Sequence, residues 1–211
     1  MESMIPKEKQ VRIVAVSDMN KVSSYNVGTH TISARADITD AEFTHELVHA
    51  YTVWALTSKD PRVKEQMQQL ETLRRKLTSD EGLAAMGLKF SEYQKFLRGN
   101  RVFRAVQFRE KNISDFDAAA LSDYQFFNQK ENQDKFYGLT SIQELLSETM
   151  TNARFAEQLS KVNSEAGARL NKAKGTSAWS KILQLAADML EAMNITFGPS
   201  AATEISCNNS F

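Results

Sequence analysis

Two periods of apolar residues organise this chain. Near the start, "VRIVAV" (11–16) is a β-branched run that predicts a buried strand. "HTISARAD" (30–37) alternates, with Ile32, Ala34 and Ala36 on one side and Ser33 and Arg35 on the other. Asn26 and Gly28 mark a turn just before it, so two or three strands should precede the first helix.

From there the period lengthens. Thr39-Asp-Ala-Glu42 spells a capping box, whose side chains can satisfy the free amides of a first helical turn. That helix should run to about Leu56 and stop before Pro61. Val63, Met67, Leu70, Leu73 and Leu77 then form one apolar stripe with charges opposite. Between 83 and 135 the pattern predicts helix in pieces, around 91–98 and 115–130. In "YGLTSIQELLSETMTNARFAEQL" (137–159) a turn at Gly138 and a cap at Thr140 or Ser141 lead into another helix. Trp179, Ile182, Leu183, Ala186, Met189, Leu190 and Met193 define a last one. The expected fold class is therefore α+β and mostly helical, with a small N-terminal sheet. We expect one domain over 1–196, a helical insertion at about 60–135, and a polar, flexible tail at 197–211.

Composition narrows the function. With 211 residues, 42% of them hydrophobic, the chain can bury a real core, and 8 Gly and 3 Pro favour long helices over many short strands. Lys+Arg and Asp+Glu are both 26, so no charge excess recommends nucleic acid or an anionic membrane. Arg74, Arg75 and Lys76 do cluster, but Glu71, Asp80 and Glu81 lie nearby. No apolar run is long enough to span a bilayer, and "MESMIPKEKQ" has no signal-peptide core. The expected location is cytoplasmic or virion-associated. Cys207 is the only cysteine, so a metal site must use histidine and carboxylate.

Two of the three histidines fall in one pentapeptide, His45-Glu46-Leu47-Val48-His49. On a helix, His45 and His49 share a face and can present two imidazoles to one ion. Glu46 lies about 100° round the helix, where its carboxylate can take a proton from water instead of binding the metal. Zn²⁺ suits such ligands and prefers four in a tetrahedron. The competing reading is an ordinary helix with one solvated and one hydrogen-bonded histidine, so a third ligand has to decide.

A histidine six residues after His49 would complete one known zinc pattern, but that position is Ala55. His30 lies in the turn or strand before the helix, where a surface role is the expectation. The third ligand should then be an acid. Glu144 and Glu148 are an i, i+4 pair on a helix otherwise rich in Ile142, Leu145 and Leu146. Two stacked carboxylates are costly to bury unless a cation or histidine partners them. The pair is explained if Glu144 ligates the metal and Glu148 accepts the free N–H of His45 or His49. The other possibility is that Glu148 points to solvent.

"HELVHA", Tyr137 seven residues before Glu144, and "ELLSE" followed by "TNARF" together resemble the gluzincins. The likeness is strongest to the catalytic domain of anthrax lethal factor and to metallopeptidase domains of phage and mobile-element proteins. It covers about residues 30 to 160, weakly in the middle. The resemblance implies a zincin-like fold, His45, His49 and Glu144 as zinc ligands, and Glu46 as catalytic base. It also implies Glu148 as the acid behind a ligand histidine and Tyr137 as the phenol that stabilises an oxyanion.

There are departures. Glu42 is charged where such motifs have a small or apolar residue, and the long stretch between His49 and Glu144 does not align. "DKFYG" also resembles part of the aspzincin motif, which would make Asp134 the third ligand. Glu144 is preferred because Glu148 then also has a role. The expected function is a zinc-dependent metallopeptidase that hydrolyses peptide bonds with a metal-activated water. Its partner would be a protein or peptide, bound by strand addition along "TISARAD" with Tyr25 and His30 near the rim. The alternative is a phage or virion-associated structural or binding protein that keeps the fold without turnover. The charged helix at 61–80 and "SDYQFFNQ" (122–129) would then carry protein contacts.

Overall fold

The computed structural model describes residues 11–17, 23–162 and 176–193. The expected tail at 197–211, with Cys207, and the segment "MESMIPKEKQ" lie outside the described residues. The fold is α+β and mostly helical, with a small three-stranded sheet at its N-terminal end. Among the described residues, no helix is long and apolar enough to cross a membrane.

The strands are β1 (Arg12–Val16), β2 (Ser24–Asn26) and β3 (Thr31–Arg35), in the order β1-β3-β2. β3 pairs parallel with β1 along Thr31–Arg35 and antiparallel with β2 over Thr31–Ser33, so it is the central strand. Strand addition along "TISARAD" is thereby blocked over Thr31–Ser33, where the ladder groups already serve both β1 and β2, and on the β1 side as far as Arg35. The alternation holds for Ile32 and Ala34, which are buried, while Ala36 lies in an exposed turn after the strand ends. The expectation of a buried first strand is also corrected. Ile13 is 57% exposed and Val14 36%, because the helix over the sheet packs on β2 and β3, and β1 lies at the sheet's far edge.

That helix, α1 (Asp40–Thr57), starts as its sequence requires. Thr39 Oγ1 accepts from the Glu42 amide at 3.2 Å, and a Glu42 carboxylate oxygen accepts from the Thr39 amide at 2.9 Å. Glu42, out of place in a metal motif, therefore has a capping role. α1 ends before Asp60, which caps α2 (Pro61–Leu77) by accepting from the Arg62 amide at 2.8 Å. Val63, Met67, Leu70, Leu73 and Leu77 are all buried, as their spacing predicts.

A short α3 (Asp80–Ala85) leads to α4 (Phe90–Gln107), longer than the 91–98 piece expected from sequence. α5 (Ala118–Phe127) packs back along α4, followed by α6 (Lys130–Phe136) and a 3₁₀ turn over Tyr137–Leu139. Phe127 and Phe136 pack at a tilt against Phe96, whose ring centroid is 4.9 Å from that of Phe127 and 5.5 Å from that of Phe136. "SDYQFFNQ" thus supplies a core aromatic in Phe127. Ser141 caps α7 (Ile142–Thr151) through the Glu144 amide, and Asn152 caps α8 (Ala153–Ser160) through the Phe155 amide. The helix expected over 137–159 is therefore two helices broken at Asn152. α9 (Ala178–Ala192) closes the body against α2, α7 and α8. One hydrophobic cluster runs from Tyr51 and Trp54 of α1 to Met189 and Met193 at the end of the chain described.

Gly99 marks the tightest crossing, since a Cβ there would strike the Asp123 carbonyl and the Phe127 side chain. Backbone on a facing helix cannot give way as a side-chain tip can. Gly99→Ala should therefore destabilise the protein by about 1–3 kcal/mol, despite alanine's better helix propensity. Chemical denaturation of wild type and variant measures it, and an equal or higher midpoint in Gly99→Ala would contradict the close crossing.

Candidate metal centre

Two faces of α1 serve two different neighbours. At 100° per residue, His45 and His49 lie close together in angle, whereas Glu46, Ala50 and Trp54 form a second stripe. α1 packs against α7 on one side and against β2 and β3 on the other. The histidines meet carboxylates that α7 supplies, and Glu46 meets the sheet.

His45 Nε2 and His49 Nε2 are 2.9 Å apart, and each is 3.4 Å from Glu144 Oε2. These three residues form the group of ligating side chains among the described residues whose atoms lie within 4.8 Å of one another, an arrangement that could hold a metal ion. A tetrahedral ion with bonds of about 2.0–2.1 Å separates its ligand atoms by about 3.3–3.4 Å. Two edges of the triangle match that value, and the His–His edge is somewhat shorter. The donor set, two imidazoles and a carboxylate, is one that suits zinc.

Electrostatics point the same way. Glu144 Oε2 is fully buried, and its 3.4 Å approaches to the imidazoles do not align as hydrogen bonds, so it has no hydrogen-bond partner. Burial alone would raise the Glu144 carboxyl, but the two histidines outweigh it and hold its pKa at about 2. Burial also works against charge on His45. Glu144, then Glu148 and Glu46, overcome that and raise the imidazole pKa. The carboxylates thus attract positive charge to the point where the two Nε2 atoms meet, and a divalent cation placed there could be ligated by all three atoms at once.

The remaining candidates surround this point. Glu148 does not face open solvent. Its Oε1 lies 3.6 Å from His45 Nδ1, on the side of the ring away from Glu144, and its Oε2 accepts from Asn152 Nδ2 at 2.7 Å. Burial raises the Glu148 carboxyl. Tyr137 is half-buried and interacts with Glu144; burial first, then the carboxylates of Glu144, Glu148 and Glu46, push its phenol well above the ordinary tyrosine range. Its turn is held from a distance, because the Leu139 carbonyl accepts from Arg74 Nη1 and from the Tyr93 hydroxyl, both at 3.1 Å. Asp134 stands outside the ligand triangle and faces Lys130 at 3.6 Å.

Glu46 does not face the triangle as a ligand. Its Oε2 accepts from the Tyr25 backbone amide at 2.7 Å, a main-chain group on β2. Burial raises its pKa, opposed chiefly by His49 and by that amide. His30 is half-buried, not the surface residue expected. Its Nδ1 lies 2.6 Å from the Tyr25 hydroxyl, its ring is 5.6 Å from Trp54, and its φ is +48°. Such a backbone persists in a non-glycine residue only where its surroundings hold it.

Sequence reasoning assigned no role to Asn152, Arg74, Tyr93 or the Tyr25 amide. Only "TNARF" singled out Asn152, and a main-chain donor leaves no trace in residue type. Comparison with protein-family models found no match, and neither did searches of curated proteins and solved structures.

Zinc at 100 times its Kd should stabilise the protein by about 2.7 kcal/mol, or roughly 5–10 °C in Tm at pH 7.5. His49→Ala and Glu144→Ala should lose that gain, and Asp134→Ala should keep it. Acidification should act in opposite directions on the two forms. Imidazoles must be neutral to ligate, so the zinc gain should shrink toward pH 5.5. In the metal-free protein the attraction of the carboxylates for protonated His45 stabilises the fold, and protonation relieves the burial cost of Glu46 and Glu148, so all three favour the folded state as pH falls. For His45 that contribution is fully present below its unfolded pKa of about 6.5 and is lost as pH rises through the folded value. Thermal melts with and without zinc at both pH values check this, and parallel pH trends in the two forms would contradict it.

Proposed function

We propose that the protein is a zinc-dependent peptide hydrolase. The observation that carries this reading is the convergence of His45, His49 and Glu144 at one half-dry point, with Glu46 and Tyr137 beside it. The choice of peptide bonds as substrate rests on the resemblance of "HELVHA", Tyr137 and "ELLSE" to the gluzincins.

When bound, zinc supplies Lewis acidity, which makes water a stronger acid and a carbonyl a better electrophile. The chain's own residues do the rest. One Glu46 oxygen is fixed by the Tyr25 amide, which leaves Oε1 to accept a proton from the attacking water. A carboxyl whose pKa is raised by burial is a better base for that step and a usable acid for the next. As the C–N bond breaks, Glu46 returns the proton to the leaving amine and is again a carboxylate. Tyr137, kept protonated by its raised pKa, donates its phenol hydrogen to the oxygen that gains charge. The ligand side chains are only 14–19% exposed, so these charges develop away from bulk water.

Glu46→Gln should retain zinc and lose about 10²–10⁴-fold in peptide cleavage. Tyr137→Phe should also retain zinc, with a loss of about 10²–10³ in kcat. Zinc-loaded protein incubated with a broad peptide library, with products read by mass spectrometry, tests both. Wild type with full zinc and no cleavage would overturn the hydrolase reading and leave a zinc site in a binding protein.

A further inference from the structure

We propose that Asn152 is a positioning residue for the metal centre, which acts through Glu148 on His45; this rests on the metal-centre reading above. Asn152 sits at the break between α7 and α8, with φ −111° and ψ 100°, so its side chain is free of helical constraints. It uses both ends of its amide. Oδ1 accepts from the Phe155 amide at 3.1 Å and caps α8, while Nδ2 donates to Glu148 Oε2 at 2.7 Å and to the Asp134 carbonyl at 3.3 Å. The Asp134 carbonyl belongs to α6, so the side chain ties three helices together at the back of Glu148.

The consequence for Glu148 is a fixed orientation. With Oε2 committed to Asn152, Oε1 is the oxygen turned toward His45 Nδ1. Its stem is confined as well, because a Cβ on Gly138 would lie 2.9 Å from Glu148 Cβ and 2.5 Å from Phe155 Cε1. At 3.6 Å the carboxylate acts on Nδ1 by charge, and a negative group on that side favours the tautomer with its proton on Nδ1 and its lone pair on Nε2, the atom facing His49 and Glu144. An amide is the side chain that suits this place. It offers a cap acceptor and two donors without adding charge, whereas an aspartate would set a third carboxylate against Glu148 and a serine is too short to bridge.

The capping and positioning roles separate by substitution. Asn152→Ser keeps an N-cap acceptor and loses the bridge, and Asn152→Ala loses both. Zinc affinity measured by competition with a chelator, on the full chain, gives the first readout. Loss of an outer hydrogen bond to a ligand typically costs about 10–100-fold in metal affinity, and one step further out we expect about 3–10-fold for Asn152→Ser. In a Glu148→Gln background the same substitution should cost less than twofold, because the group it acts through is already changed.

The second readout is the Nδ1 proton resonance of His45 in the zinc-loaded protein. It should move in Asn152→Ser while the rest of the amide spectrum is preserved. Equal losses of affinity in the two backgrounds, or an unmoved His45 resonance, would reduce Asn152 to a helix cap and overturn the inference. A wild type that binds no zinc would overturn the metal centre itself, and this assignment with it.

Discussion

The interface of α1 with α7 is the constraint on which the rest of the structure depends. It brings two imidazoles and two carboxylates into a half-dry space, with Nε2 atoms 2.9 Å apart and a buried Glu144 oxygen that has no hydrogen bond. Groups of this kind are costly to desolvate without a counter-charge. Ordinary helix packing would place leucine here, as it does at Leu145 and Leu146 on α7. Perturbed titration of Glu144, Glu46 and Tyr137 accompanies this arrangement, as burial and close charges require.

Three parts of the chain that are far apart in sequence then converge on that interface. The sheet offers one backbone amide, Tyr25, to the outer oxygen of Glu46, and His30 braces the hairpin against Trp54. The stretch between α1 and α7 is more than an insertion on the surface. α2 and α4 send Arg74 and Tyr93 to the Leu139 carbonyl, which fixes the turn that carries Tyr137. α6 and α8 meet at Asn152 behind Glu148. Apart from the ring contact of His30 with Trp54, these supports are hydrogen bonds, and they hold the backbone and the carboxylates around the candidate side chains.

Much of this was legible in residue order where the cause is local. The capping box fixed where α1 begins, and the heptad-like spacing of Val63 to Leu77 described α2 and its buried face. His45 and His49 shared a face for the same reason, since helical geometry depends only on spacing. Glu144 and Glu148 were singled out by an i, i+4 pair of acids on an apolar helix, and both side chains lie beside the histidines. The exposure of β1 was not legible, because a β-branched run has the same composition whether or not a helix covers it. Nor was the central place of β3 in the sheet, since alternation describes a strand's faces and says nothing of its edges.

By itself, then, the sequence determined α1, α2 and α9, the caps of α1 and α7, the buried stripe of α2 and the pairs of like residues on one turn. All of these follow from interactions within a few residues. Tertiary structure alone decided that Glu144 and not Asp134 closes the triangle with the histidines, and that Glu148 turns toward His45. It also decided that His30 binds Tyr25 instead of facing water. The physical reason is range: which carboxylate reaches an imidazole depends on how two helices distant in sequence pack, and no local pattern encodes that contact.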